Sequence, residues 1–347
     1  QQPVSIFPHR KWCPEPSGML HTLRWARLNL IVYYPMQHIS PCITKQPIMT
    51  RKLRLFLLFI YLLPVWATAA PVNVIDDTGQ QVSLAHPANR IVALAPHVVE
   101  TLFAAGAGDK IVGAVDYSDY PAAAKTIPRI GGYSAFNLEA IAALKPDLVI
   151  AWASGNSPSA IEKIRSLGIP IYLSQINTVA EVANEIEKFG TLAGTQNIAT
   201  PATRSFRKQL DDLTRLYQNK SEVLVFYQIS ESPLMTIGGK QIISNALAIC
   251  GGKNIFANLA PMAPVVTVES VLAANPEAIM TSGMQSINPS ALAQWRKWPR
   301  LLATERQNFF FIDPDLMNRS GPRIIEGTQM LCKAVETARQ HRLSAKP

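Results

Sequence analysis

The feature that most constrains the fold of this chain is an alternation of short apolar runs with stretches of helical periodicity. The runs lie at residues 91–94, 111–115, 148–151, 169–173, 223–226, 278–280 and 309–312. A helical stretch from Val98 to Ala105 separates the first run from the second. Strand, helix and strand in repetition are typical of parallel sheets covered by helices. The sequence therefore predicts an α/β fold with a parallel sheet in each half.

The length of the chain predicts two lobes rather than one. At 347 residues it exceeds an ordinary domain, and we expect an N-terminal lobe over 70–195 and a C-terminal lobe over 221–347. Between them, Thr200-Pro201 is typical of a helix start, and apolar residues follow at helical spacing: Phe206, Leu210, Leu213 and Tyr217. We predict two Rossmann-like lobes joined by a single long, rigid helix within 196–220, with a ligand cleft between the lobes. A helix that packs on one lobe only is the alternative.

An internal half-repeat supports the two-lobed organisation. Residues 137–151 (NLEAIAALKPDLVIA) align with residues 267–281 (TVESVLAANPEAIMT), which predicts the same short helix, proline turn and buried strand in each lobe. Glu139 aligns with Glu269, and each falls in the first turn of its helix, where the helix dipole favours a carboxylate. Stabilisation of the helix ends is by itself enough to explain why a glutamate stands at both positions. The functional alternative is that the two lobes present one acidic side chain each to a two-fold symmetric partner.

The positive charge of the chain is concentrated at its N-terminal end. The formal net charge is +9, but residues 1–70 hold eight of the 33 basic residues and only one acid, Glu15. The remainder carries 25 basic and 23 acidic residues and has no basic run interleaved with aromatic residues. A nearly neutral body of this kind excludes nucleic acid as an expected partner.

Residues 49–69 have the three parts of a secretory signal peptide. The basic segment Met49–Arg54 precedes an apolar run that is too short to span a bilayer, and Ala67 and Ala69 supply the small residues before a cleavage site. We predict cleavage after Ala69 and export to the periplasm. Residues 1–48 are interpreted as an upstream extension outside the fold.

Cys250 and Cys332 are the two cysteines downstream of the predicted leader. An even pair of cysteines in an oxidising compartment indicates a disulfide. We therefore predict a Cys250–Cys332 bridge.

Several kinds of chemistry lack the residues that they need. Downstream of the leader the only histidines are His86, His97 and His341, too few and too scattered for a closed metal site, so no metal site is predicted. There is no Gly-x-Ser-x-Gly elbow and no phosphate-binding glycine loop. The sequence therefore favours a binding protein without a cofactor over an enzyme.

Aromatic residues recur where predicted strands end, which is where open α/β sheets place ligands. They are Tyr117, Tyr133, Trp152 and Tyr227. Each one alone is more often a core or rim residue, but together they predict a cleft lined for a large, flat ligand.

Five segments of the chain resemble the periplasmic cobalamin-binding proteins, which belong to the helix-bridged receptors for cobalamin, haem, siderophores and metals. The segments are LAPHVVETLFAAGAGDKIVG (94–113), DYSDYP (116–121), NLEAIAALKPDLVIAW (137–152), CGGKNIF (250–256) and SGPRIIEGTQMLC (320–332). The resemblance spans about residues 90–335. It implies two α/β lobes joined by one rigid helix, with the ligand held between the lobes.

The resemblance also implies which residues contact the ligand. Tyr117 matches a residue that packs on the corrin ring, Tyr133 stands where a Trp is found, and residues 315–319 align with a ligand-contacting loop. The predicted ligand-binding residues are Tyr117, Tyr133, Trp152, His97, Asp315, Leu316, Met317, Asn318 and Arg319. The chain departs from the family pattern in carrying Ala263, Leu316 and Met317 in place of aromatic residues and His97 in place of a small one. The loss of aromatic residues leads us to expect tolerance for incomplete corrinoids such as cobinamide.

The function that the resemblance implies is capture of cobalamin or a related corrinoid in the periplasm and its delivery to an inner-membrane ABC permease and ATPase. Glu139 and Glu269 are the expected contacts with that importer, and the protein is expected to be a monomer. A haem or iron-siderophore receptor of the same fold is the first alternative, since Tyr and His can both ligate iron. A secreted α/β enzyme is the second.

Overall fold

The computed structural model describes residues 71–283 and 289–344. The predicted upstream extension, signal peptide and cleavage site lie outside the described residues. Within the described part of the chain, no helix is both long enough and apolar enough to cross a bilayer.

The first half is built on a four-stranded parallel sheet. Its strands lie in the order β4-β3-β5-β6, and a separate antiparallel hairpin, β1-β2, precedes them in the chain. The strands are β1 (Val72–Ile75), β2 (Gln81–Leu84), β3 (Ile91–Ala93), β4 (Ile111–Ala114), β5 (Leu148–Trp152) and β6 (Ile171–Ser174). The helices are α1 (Pro96–Ala104), α2 (Leu138–Ala143), α3 (Pro158–Ser166) and α4 (Glu181–Ala193). The predicted α/β fold with a parallel sheet is thus confirmed in this half.

The second half is built on a five-stranded sheet. Its order is β11-β10-β7-β8, with β9 also pairing with β7, and only β8 runs antiparallel to its neighbour. The strands are β7 (Val223–Glu231), β8 (Leu234–Thr236), β9 (Gly252–Asn254), β10 (Ala278–Thr281) and β11 (Phe309–Phe311). The helices are α6 (Ile242–Ile249), α7 (Val268–Ala274), α8 (Leu302–Glu305), α9 (Pro314–Met317) and α10 (Ile324–Ser344).

The helix that separates the two sheets in the sequence is α5 (Gln196–Tyr217), with 22 residues. Its buried residues recur at alternating steps of four and three: Ala199, Thr203, Phe206, Leu210, Leu213 and Tyr217. This stripe packs on α4, and α5 also contacts α1 from the first half and α6 and α10 from the second. The prediction that Pro201 opens the helix is wrong. Thr195 precedes the first helical residue, and Pro201 lies inside the helix, where the chain forgoes one backbone hydrogen bond.

The half-repeat corresponds to the same local structure in both halves. Helix α2 and strand β5 in the first repeat match α7 and β10 in the second. The turns match as well, because Lys145 (φ 45°) and Asn275 (φ 43°) occupy the same position and both adopt the left-handed conformation. This conformation is uncommon for residues other than glycine, so its recurrence marks a shared backbone path.

Cys250, which ends α6, forms a disulfide with Cys332 on α10. Both residues are fully buried. The predicted bridge is confirmed.

Candidate ligand-binding site

The ends of three neighbouring strands create the central part of the site. Strand β3 lies between β4 and β5, and the chain passes from β3 to β4 on one side before it crosses to β5 on the other. In open α/β sheets the loops diverge at such a switch point and leave a crevice, which is where ligands bind. Residues 94–97 follow β3, Tyr117 follows β4, and Trp152 ends β5.

Three of the predicted residues form one aromatic cluster at this crevice. The ring of His97 meets Trp152 edge-on at 5.5 Å between ring centroids, and Tyr133 lies tilted against Trp152 at 5.9 Å. Gly155 makes room for this arrangement, because a Cβ atom there would lie 1.9 Å from Cε3 of Trp152. His97 is buried, whereas Tyr133 is 40% exposed and offers a wide apolar face.

Asn156 holds the cluster together, although nothing in the sequence singled it out. Its Nδ2 donates to the carbonyls of Leu94 (3.0 Å) and Tyr133 (2.6 Å), and its Oδ1 accepts from the backbone N–H of Trp152 (2.6 Å). The side chain therefore links the ends of β3 and β5 to the Tyr133 segment. Asn156 is only 5% exposed, as expected of a residue that shapes a site from within.

Tyr117 is the most exposed of the large hydrophobic residues at this edge. It is 75% exposed and has φ 63°, a conformation that is a genuine outlier for a bulky residue. The backbone N–H of the preceding residue, Asp116, donates to the carbonyl of Gly131 (2.8 Å), which ties this loop to the Tyr133 segment. A bulky ring held in a strained conformation and left uncovered is typical of a ligand-contacting position.

A network of ion pairs joins the two halves beside the cluster. The buried carboxylate of Glu100 on α1 accepts from Arg323 at both of its oxygens (2.9 and 2.7 Å) and from Arg319 (3.1 Å). Arg319 also pairs with Asp119 (3.0 Å) and Asp315 (3.2 Å). We call Glu100, Asp119, Asp315, Arg319 and Arg323 the ion-pair network.

The network affects the ionisation of the groups around it. Partial burial would raise the pKa of Asp119, but the hydrogen bond from Arg319 and its charge outweigh burial and hold that pKa below its ordinary value. Burial and then the charge of Arg319 lower the pKa of His97 to about 4. His97 is therefore a neutral imidazole at neutral pH. No described residue hydrogen-bonds to either of its ring nitrogens.

The segment 315–319 contributes to the site unevenly. Asp315 is exposed, Leu316 is half-buried, and Arg319 reaches across to the first half. Asn318 is tied to Ser282, whose carbonyl accepts from its Nδ2 at 2.9 Å. Met317 is 1% exposed and packs in the core of the second half, so its side chain does not face the cleft in this conformation.

Tyr227 is not at the end of a strand, contrary to the expectation. Strand β7 continues to Glu231, and Tyr227 is fully buried inside it. The apolar run 223–226 had suggested a shorter strand because the residues that follow are polar. The pairing with β8 extends it.

The two glutamates of the half-repeat have matching surroundings. Glu139 and Glu269 are both exposed in the first turns of α2 and α7, whose N-caps are Asn137 and Thr267. Each cap side chain accepts a backbone N–H of its own helix. Among the described residues, neither glutamate has an ion-pair partner. The described residues also contain no group of three His, Cys, Asp or Glu side chains placed to hold a metal ion.

Comparison with known proteins gives consistent matches. The vitamin B12-binding protein of Vibrio cholerae is 37% identical over 255 residues, which cover 73% of this chain and 91% of that protein. That of Yersinia pestis is 34% identical over 249 residues, covering 72% and 87%. The crystal structure of the periplasmic vitamin B12 binding protein BtuF of Vibrio cholerae superposes with a TM-score of 0.67 at 36% identity, covering 73% of this chain and 99% of that one.

The fold is shared more widely. The periplasmic heme-binding protein RhuT of Roseiflexus sp. RS-1 superposes with a TM-score of 0.64, covering 73% of this chain and 99% of that one, although its identity is only 22%. The family model for periplasmic binding proteins matches residues 91–316, which include the aromatic cluster, Glu100 and the segment 315–316. The chain belongs to the periplasmic binding protein family.

Proposed function

We propose that this protein captures cobalamin or a related corrinoid in the periplasm and delivers it to an inner-membrane ABC importer, without transforming it. The observation that carries the proposal is identity of 36–37% along nearly the whole length of vitamin B12-binding proteins. The site chemistry agrees with it. A large ligand with a flat ring and a fringe of amides needs wide apolar faces and scattered hydrogen-bonding groups rather than one charged pocket.

The ligand would lie between the aromatic cluster and the segment 315–319. Tyr117, Tyr133 and Trp152 would supply apolar faces, while Asp315, Asn318 and Arg319 would supply polar contacts. The two lobes would span 70–195 and 221–347, and α5 would act as the rigid bridge between them. Because α5 contacts helices of both halves, it is suited to hold their spacing while the cleft opens or closes.

Titration calorimetry with cobalamin, cobinamide and haem tests the proposal. Binding of both corrinoids in a one-to-one ratio supports it. Haem binding without measurable corrinoid binding would establish the alternative, a haem receptor, which His97 favours because its neutral imidazole lacks a protein partner. Binding of neither class contradicts both assignments, and a siderophore would then be the ligand to test.

Docking on the importer would use Glu139 and Glu269. The half-repeat presents one exposed, unpaired carboxylate from equivalent helices of each half, which fits paired basic groups on a two-fold symmetric permease. Reversing both to Arg should impair transport but leave corrinoid affinity unchanged. Reversing Asp109 and Glu305, exposed acids outside the repeat that also lack an ion-pair partner among the described residues, is the matched control. Normal transport by the Glu139/Glu269 variant would show that both residues serve only to stabilise the N-terminal ends of their helices.

Localisation follows from the same proposal. The sequence of residues 49–69 supports export to the periplasm, with the mature protein beginning at Ala70. Intact-mass analysis of protein from the periplasmic fraction measures the first residue directly. A product that retains residues 49–69 would contradict processing at Ala69.

A further inference from the structure

His97 is a buried polar side chain with no assigned partner. It is 6% exposed, yet no described residue hydrogen-bonds to its ring nitrogens. Buried polar atoms normally have partners, so an exception requires an explanation. Neither ring nitrogen is among the described side-chain atoms that are both fully enclosed and unpartnered, so each keeps a small contact with solvent.

His97 lies in the middle of the strand ends that form the site. It follows β3, which lies between the strands that carry the Tyr117 loop and Trp152. Its ring is held edge-on against Trp152, and its helix is anchored through Glu100, one turn along, to Arg319 and Arg323. A side chain supported in this way has few alternative orientations, which is what a metal ligand requires.

The neutral imidazole of His97 is suited to bind a metal. A neutral imidazole has a nitrogen lone pair and is the form that binds metals, whereas an imidazolium is not a ligand. Burial, and then the charge of the Arg319 guanidinium, lower the pKa of His97 and keep the ring neutral across the neutral pH range.

We propose that His97 is an axial ligand for the cobalt of corrinoids that lack a bound lower base, such as cobinamide, and that it favours such ligands in this site. The inference rests on the proposed function and specifies its ligand class. In the binding step, water leaves an axial position of the cobalt as the Co–O bond breaks and the Co–N bond to His97 forms. The oxidation state of cobalt does not change, and no proton is transferred because the imidazole is already neutral.

The distinguishing consequence is selectivity between two corrinoids. Diaquacobinamide has an exchangeable water on cobalt, whereas cyanocobalamin has both axial positions filled by its own base and by cyanide. Removing a residue that hydrogen-bonds to a metal ligand typically lowers metal affinity by about 10–100-fold. His97→Gln removes the proposed ligand itself, so cobinamide binding should weaken by at least about tenfold. Cyanocobalamin binding should change much less, because Gln preserves the volume and polarity of the position.

Electron paramagnetic resonance of bound cob(II)inamide tests the bond directly. One nitrogen-14 ligand splits each cobalt line into three, and protein labelled with nitrogen-15 histidine should give two instead. The His97→Gln variant should show no nitrogen splitting, and His97→Ala should recover it when free imidazole is added.

Each outcome has a separate meaning. If calorimetry shows that cobinamide binds but the wild-type spectrum has no nitrogen splitting, the axial-ligand inference is overturned and the proposed function stands. Splitting that persists in His97→Gln would overturn it too, because another group would be the donor. If neither corrinoid binds, the proposed function itself fails.

Discussion

At the scale of single residues, Tyr117 combines high exposure with a left-handed backbone. We predict that Tyr117→Asn keeps the fold, because Asn tolerates this conformation better than most residues, but loses the aromatic face. Corrinoid affinity should fall by about 1–3 kcal/mol, the range typical of a buried aromatic anchor. Calorimetry with cobalamin measures the change. Leu216→Ala removes an exposed apolar side chain on α5 and should leave the affinity unaltered.

His97 also makes a prediction about acid stability. Its pKa of about 4 lies below the value of 6.5 expected for an unfolded chain. Between these values the unfolded chain binds a proton that the folded protein does not, so the free energy of unfolding falls as the pH falls from 6.5 to 4. The loss amounts to about 3 kcal/mol at most. Urea unfolding of wild type and His97→Gln at several pH values isolates this contribution, and parallel pH profiles would contradict the assignment.

Sequence patterns predicted the site residues that follow strands. They did not predict the buried residues that hold those site residues in place. Tyr117, Tyr133 and Trp152 were predicted as aromatic residues at strand ends, whereas His97 was predicted only from the family resemblance. Asn156 escaped notice because its partners Leu94 and Tyr133 are distant in sequence. Glu100 escaped for the same reason, since its partner Arg323 lies 223 residues further along the chain. Such roles depend on tertiary contacts, which no local periodicity encodes.

At the scale of elements, α4 and β6 share a buried acidic cluster. Glu185 on α4 lies 2.9 Å from the hydroxyl of Tyr172 on β6, which also approaches Asp77 at 3.1 Å, and Lys188 pairs with Asp77 at 2.6 Å. Burial, followed by the charge of Asp77, raises the pKa of Glu185 to about 8. Glu185 thus keeps a proton in the folded protein at neutral pH.

This cluster predicts a pH effect opposite in sign to that of His97. Between pH 4.5 and 8 the folded protein binds a proton that the unfolded chain has lost, so the contribution of Glu185 to stability decreases as the pH rises through that window. Glu185→Gln mimics the protonated form and should stabilise the protein at pH 8 by at least about 1 kcal/mol relative to wild type. Urea unfolding at pH 5 and pH 8 measures it. Glu187→Gln, on the exposed side of α4, is the control.

Strands could largely be predicted from the sequence where every residue of the strand is buried. Strands β3, β5 and β10 lie within about one residue of the apolar runs, because central strands of parallel sheets are covered on both faces. The edge strand β4 matches its apolar run equally well. The β1-β2 hairpin was missed because its strands are only four residues long and alternate between exposed and more buried positions, whereas the strands were sought as continuous apolar runs. The predicted range 196–220 includes the first residue of α5, but Thr200-Pro201 was wrongly taken as the helix start because a proline one turn inside a helix looks like a first residue.

At the scale of the whole molecule, the ion-pair network links the two halves. Glu100 is almost fully buried between Arg319 and Arg323, whereas Asp119 is half-exposed. We predict that Glu100→Gln lowers the free energy of unfolding by about 3–5 kcal/mol, because it leaves two guanidinium groups without their shared carboxylate. Asp119→Asn should cost no more than about 1 kcal/mol, as is usual for an exposed pair. Chemical denaturation of both variants compares the two positions, and equal costs would show that the network behaves like a surface feature.

The two-lobed architecture could be anticipated because a repeat of fifteen residues was visible in the sequence. The contacts across the halves could not, since Arg319 and Arg323 meet the carboxylate of Glu100 only when both halves are folded. The sequence shows all three side chains, but it does not show that Glu100 pairs with both arginines.

The half-repeat also bears on the orientation in which the protein would deliver its ligand. Docking through Glu139 and Glu269, as proposed above, would offer two locally equivalent acidic helices to a permease that is unchanged by a half turn. Contacts made only through Glu139 and Glu269 would therefore permit two docked orientations that differ in which lobe sits over which permease subunit. The ligand has no such symmetry, so it would arrive at the entrance in either of two orientations that differ by a half turn. A translocation path that serves this receptor must accept both, unless parts of the lobes outside the repeat select one.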